Sequence, residues 1–130
     1  MAMRLRLEQF VEHLDASVSF YEHALGFQVA RREPGYASLR RGDAELGLVP
    51  ISRLPARSTG PAFSQERLAA DRGAGVEIVL EVEDLAAAVE VVTRAGFELV
   101  EPARDRPWGL RDFRLTDPDG YYVRVTTPAP

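Results

Sequence analysis

The chain has 130 residues, 45% hydrophobic and 28% charged, which suits one globular domain with a core of its own. It contains no cysteine, and all 16 basic residues are arginine. Thiolate chemistry, disulfides, iron–sulfur clusters, cysteine-ligated zinc and lysine Schiff bases are therefore excluded. With 20 acidic residues the net charge is −4, which argues against a nucleic-acid backbone as partner.

Charges at Arg4, Arg6 and Glu8 fall where a secretory leader would be apolar, and no window approaches the roughly 18 apolar residues of a membrane span. A cytoplasmic protein with no membrane partner is the expectation. The first predicted strand alternates, with Leu5, Leu7, Gln9 and Val11 on one face and Arg6, Glu8 and Phe10 on the other. A helix follows, its apolar stripe running through Val18, Tyr21 and Leu25 and its end marked by Gly26. Phe27 then begins an extended segment. Tyr36 to Leu39 and Ala44 to Val49 are strands around the turn Arg41-Gly42-Asp43. Pro50 to Gly75, rich in Pro, Ser, Gly and Arg, reads as a linker with one helical turn near Gln65 to Ala70.

The same order then repeats. Val82-Glu83-Asp84-Leu85 matches Val11-Glu12-His13-Leu14, and Gly96-Phe97 matches Gly26-Phe27. The second predicted strand puts Ile78, Leu80 and Val82 against Glu77, Val79 and Glu81, and its helix carries Leu85, Val89 and Val92. Asp112 to Thr116 and Tyr121 to Thr126 flank Asp117-Pro118-Asp119-Gly120, a strong type I turn sequence. The unit is β-α-β-β-β, used twice. The predicted class is α+β, two tandem modules building a curved mixed sheet around a cavity within one domain. The first module spans about 4–50, the linker about 51–75 and the second module about 76–127. The charged strand faces, opposite the helices, are where a binding site is expected.

Familiar catalytic signatures are missing. Gly73-Ala74-Gly75 leads into a strand, so it cannot offer helix-opening amides to a dinucleotide, and there is no nucleophile elbow or Walker lysine. His13 and His23 are read as surface groups at a helix entrance and on that helix. Trp108, between Pro107 and Gly109, has two readings: a loop anchor at the core edge, or a flat wall of a ligand cleft. Phe20, Tyr21, Tyr121 and Tyr122 fall in core phase, although Tyr122 shares a face with Arg124 and so reaches toward the cavity.

The paired modules, the segment Leu14-Asp15-Ala16-Ser17-Val18-Ser19-Phe20-Tyr21 followed by Leu25-Gly26-Phe27, and the late Asp117-Pro118-Asp119-Gly120 resemble the vicinal oxygen chelate superfamily. That group includes glyoxalase I, extradiol dioxygenases and bleomycin-resistance proteins. The stretch Arg106-Pro107-Trp108-Gly109 is similar to the bleomycin-resistance branch. The resemblance implies a divalent-metal site at four strand positions, which here are Arg6, Gly47, Glu77 and Arg124. Two guanidiniums, one carboxylate and a glycine cannot make that cage, because arginine stays protonated and repels a cation. No metal and no cofactor are therefore expected.

Glu77, Arg6 and Arg124 are instead expected to converge as an ion-paired triad, either as a polar link or with one arginine left for a ligand carboxylate or phosphate. The reading that follows is a metal-free binding protein. It would sequester a small-molecule natural product or antibiotic in a cleft of a homodimer, using Trp108, Arg6, Glu77, Arg124, Tyr122, Phe10 and Glu81. Glu8 and Glu81 suit a cationic drug. The alternative is an enzyme: a metal-dependent glyoxalase-like lyase or dioxygenase with displaced ligands, or a metal-free derivative with Glu77 or Glu81 as general base.

Overall fold

The computed structural model describes residues 2–70 and 72–128. The chain is α+β, with two four-stranded mixed sheets that each follow one β-α-β-β-β run. Strands β1 (Leu7–Val11), β2 (Gln28–Glu33), β3 (Tyr36–Arg41) and β4 (Ala44–Pro50), with helix α1 (Leu14–His23), form the first module. Its strand order is β1-β4-β3-β2. Strands β5 (Glu77–Glu81), β6 (Glu101–Asp105), β7 (Arg111–Thr116) and β8 (Tyr122–Thr126), with helix α2 (Leu85–Arg94), form the second, in the order β5-β8-β7-β6. The opening strand of each module runs parallel to the closing one, and the remaining pairs are antiparallel.

The repeat holds in the strand register. Val11 and Val82 lie 71 positions apart, and the same step takes Glu8 to Val79. Glu8 pairs with Gly47 and Val79 pairs with Arg124, so Gly47 and Arg124 occupy equivalent places in the two modules. The predicted alternation survives with one correction: Leu5 precedes the ladder, which starts at Leu7, and stays 77% exposed. The segment after Gly96 also departs from the repeat. β2 starts directly after Phe27, at Gln28, whereas β6 starts only at Glu101, four residues after Phe97, whose ring packs edge-on against Phe20 at 5.0 Å. In the linker the expected helical turn is a short 3-10 turn at Arg67–Ala69, and a second such turn, Ile51–Arg53, follows β4.

Both helices end where Gly26 and Gly96 take left-handed φ values of 72° and 84°, a region a side chain disfavours. Their starts differ for a chemical reason. Asp84 caps α2 by accepting the backbone N–H of Ala87 at 3.0 Å. At the matching position His13 makes no cap bond. A carboxylate from the other module ties down the approach to the helix: Asp119 accepts the backbone N–H of Glu12, before the helix, at 2.8 Å and the Ser17 hydroxyl at 3.4 Å. Arg72 pairs with Asp119 at 3.0 Å.

The turn Asp117-Pro118-Asp119-Gly120 is thus both a hairpin turn and a docking element. Gly120 N–H donates to the Asp117 carbonyl at 3.0 Å, while the buried Tyr21 hydroxyl donates to Asp117 Oδ2 at 2.8 Å. Nearby, the Tyr121 hydroxyl donates to the Phe10 carbonyl at 2.8 Å, so Tyr121 is half-buried at the module junction rather than in the core. Phe20, Tyr21, Leu39, Val92, Phe113 and Val123 belong to one core that spans both modules.

Burial raises the Asp117 carboxyl above its usual value, against the bonds donated by Tyr21, Tyr121 and Asp119. The folded chain therefore holds that proton more tightly than the unfolded one. The resulting stabilisation is complete below the ordinary value of about 3.9 and is lost as pH rises through the raised one. Asp117→Asn removes this component, so its stability is expected to vary less with pH just above about pH 4 than that of the wild type. Urea titrations at stepped pH measure this, and equal slopes in the two proteins would refute it.

Candidate functional site

Helix α1 covers β2, β3 and β4 on one side, and α2 lies against β7, which leaves one face of each sheet without a helix. Alternation puts polar side chains on these faces. On the second module they form a connected network. Glu77 comes from β5, Tyr122 and Arg124 from β8, Asp112 and Arg114 from β7, and Glu101 from β6. Register sets their order: Arg114 lies directly across from Arg124 on one side and from Glu101 on the other.

Asp112 is the anchor. It is fully buried although it faces away from the helices. Arg106, from the turn after β6, donates through Nε to Asp112 Oδ1 at 2.8 Å and through a terminal nitrogen to Glu101. The Arg106 bond is the main reason Glu101 lies below its usual carboxylate range, and the two acids raise Arg106 in turn. Arg124 Nε lies 3.2 Å from Glu77 Oε1, and Arg114 lies 3.7 Å from Asp112 and 4.0 Å from Glu77 and Glu101. The Tyr122 hydroxyl beside Arg114 raises that guanidinium further. Trp108 is 54% exposed, with its ring 6.0 Å from the Arg106 guanidinium carbon. It is therefore no core anchor; it stands at the rim of the network.

The first module carries a smaller cluster. Arg6 Nε lies 3.2 Å from Glu8 Oε1, and the Tyr36 hydroxyl donates to the same oxygen at 3.2 Å. Burial, then the Glu8 charge, raises the Tyr36 hydroxyl. A Cβ at Gly47 would overlap both the Glu8 carboxylate and the Tyr36 hydroxyl, so the missing side chain is what lets them meet over β4. Phe10 stacks with Phe63 of the linker, ring centres 4.4 Å apart.

The expected triad is therefore corrected. Glu77 and Arg124 pair as predicted, but Arg6 does not join them, because Glu8, two residues on and on the same strand face, is the nearer carboxylate. Among the described residues no ion pair connects the two helix-free faces. Tyr122 does lie with Arg114 and Arg124. Glu81 lies apart: it lines a groove of about 900 Å³ bounded by Leu25, Phe27, Arg41, Leu80 and Val91, between α1's exit and α2. His13 and His23 are exposed on and beside α1.

Sequence reasoning missed Asp112, Arg114, Arg106 and Glu101. The alternation of Asp112 and Arg114 with the buried Phe113 and Leu115 was a usable signal, whereas nothing local marked Phe63. The four positions at which the resemblance places a metal do not fit one. Arg6, Gly47, Glu77 and Arg124 supply a single carboxylate, and the nearest charge to it is a guanidinium. Among the described residues no three His, Asp or Glu side chains stand close enough to chelate an ion. No helix there is long and apolar enough to cross a membrane.

The solved structures this fold resembles include TioX from Micromonospora sp. ML1, at TM-score 0.76 and 21% identity over 97% of this chain and 98% of that one. A glyoxalase/bleomycin resistance protein/dioxygenase from Nocardioides matches at 0.74 and 24%, over 98% and 83%. A glyoxalase-related enzyme from Fulvimarina pelagi matches at 0.75 and 21%, over 98% and 89%. No curated protein matches the chain. The model of one family covers residues 5–125, nearly the whole sequence and both modules. On that match, and on two β-α-β-β-β units in the matching register, the chain belongs to the Glyoxalase/Bleomycin resistance protein/Dioxygenase superfamily.

Proposed function

We propose that this chain is a metal-free binding protein of that superfamily, which sequesters a small-molecule natural product or antibiotic in a cleft of a homodimer. One observation carries the reading: of Arg6, Gly47, Glu77 and Arg124, the positions at which the resemblance places a metal, only Glu77 is a carboxylate, and it lies 3.2 Å from Arg124 Nε. A carboxylate paired with a guanidinium has to give up that ion pair before it can ligate a cation, and no second carboxylate stands at these four positions. Exposed Trp108, Phe63 and Val79 offer apolar contact beside the polar groups, the composition expected of a ligand surface. Among the described residues no ion pair joins the two helix-free faces, and each leaves apolar groups open, which suits a cleft completed by a second copy.

The test is calorimetric titration of chelator-treated protein with Zn²⁺, Ni²⁺, Mn²⁺ and, anaerobically, Fe²⁺. No heat of binding is expected at micromolar ion. One ion per chain, lost in Glu77→Ala, would transfer the site to the metal-dependent lyase or dioxygenase reading.

A further inference from the structure

We propose that Arg114 and Arg124 together form a carboxylate-binding fork on the helix-free face of the second module, so that the ligand of this site carries a carboxylate next to an apolar or aromatic group. The inference rests on reading that face as the ligand surface, and it names the chemistry the surface selects.

The two arginines are directly opposed across β7 and β8, a placement in which like charges destabilise a sheet unless an anion is shared between them. The acids at hand share themselves thinly. Arg106 takes the aligned hydrogen bonds, one to Asp112 and one to Glu101. Among the described residues the acids around Arg114 and Arg124 are Glu77, Asp112 and Glu101, at 3.2 to 4.0 Å. At 3.7 to 4.0 Å no hydrogen bond forms, and the 3.2 Å approach of Arg124 Nε to Glu77 is not along the N–H direction, since neither Nε has a partner. Asp112 Oδ2 is likewise without a partner, 4.0 Å from Arg124. The two Nε atoms are buried, but about a fifth of each side chain is exposed, so apart from Tyr122 beside Arg114 the donors left for a ligand are the terminal nitrogens of two opposed guanidiniums.

Arginine forks match a carboxylate or a phosphate geometrically. Charge favours the carboxylate. Arg106, Arg114 and Arg124 are already balanced by Glu77, Glu101 and Asp112, so a singly charged planar anion adds less repulsion than a dianion. The rim adds flat surface through Tyr122 and through Trp108, which is more than half exposed.

The probe is sodium benzoate, titrated into ¹⁵N-arginine-labelled protein at constant ionic strength. Benzylamine serves as a cation of the same size and inorganic phosphate as the other oxyanion. The buried Arg114 and Arg124 Nε–H signals report occupancy. Benzoate is expected to shift both, with at least tenfold weaker binding in Arg114→Gln and no change in Arg57→Gln, an exposed linker control. Should Arg114→Gln fail to fold, Arg124→Lys keeps the charge, loses the fork and is expected to weaken benzoate at least fivefold. Silent signals with benzoate, equal response to benzylamine, or preference for phosphate would each overturn the proposal. A metal bound through Glu77 would overturn the functional reading by a separate measurement. A benzoate failure in metal-free protein overturns only the fork.

Discussion

Replacing Asp112 with alanine is expected to cost about 3 kcal/mol of folding stability, because it strips the shared anion from beneath three arginines. Breaking a buried charge pair usually costs about 3–5 kcal/mol. The low end applies here, since Arg114 and Arg124 keep about a fifth of their side-chain surface exposed and retain some hydration. Asp112 itself is fully buried and accepts the aligned bond from Arg106. Urea denaturation of wild type, Asp112→Ala, Arg106→Leu and the double variant forms the decisive cycle. The double variant should lose less than the sum of the two single losses, since both single variants remove the same Arg106–Asp112 bond. Additive losses, or a single-variant loss below about 1 kcal/mol, would show that the network is solvated and not structural.

Phe20→Ala is expected to cost about 4 kcal/mol, in the usual range for emptying a buried aromatic site. Phe20 is 1% exposed and meets Tyr21 and Phe97 edge-on at 5.1 and 5.0 Å. Phe97 belongs to the second module, so the cavity would open at the seam between the two repeats. Against a typical domain stability of about 5–15 kcal/mol, that loss is a large share. The unfolding transition should stay single, because one core serves both modules. Two separated transitions, one per module, would show that the seam is not cooperative.

The seam also explains what local pattern reveals and what it misses. The double β-α-β-β-β order, the glycine exits of both helices and the hairpin at Asp117 to Gly120 were legible because each depends on neighbours within a few residues. The tie that holds the entrance of α1 was not. It depends on Asp119, 107 positions beyond the Glu12 N–H it accepts, and His13 gives no hint of where the acceptor comes from.

The site divides in the same way. The sequence alone determined the two-module order and the Glu77–Arg124 pair, since period-two alternation and the repeat place those residues without any knowledge of packing. Only the tertiary structure decided that Arg6 turns to Glu8, that Gly47 opens the space where Glu8 and Tyr36 meet, and that Asp112 holds Arg106 while leaving Arg114 and Arg124 with unfilled donors. Charge pairing is settled by distances of an ångström or less between competing partners. Strand register puts the competitors on one face, but loop paths and side-chain directions choose among them.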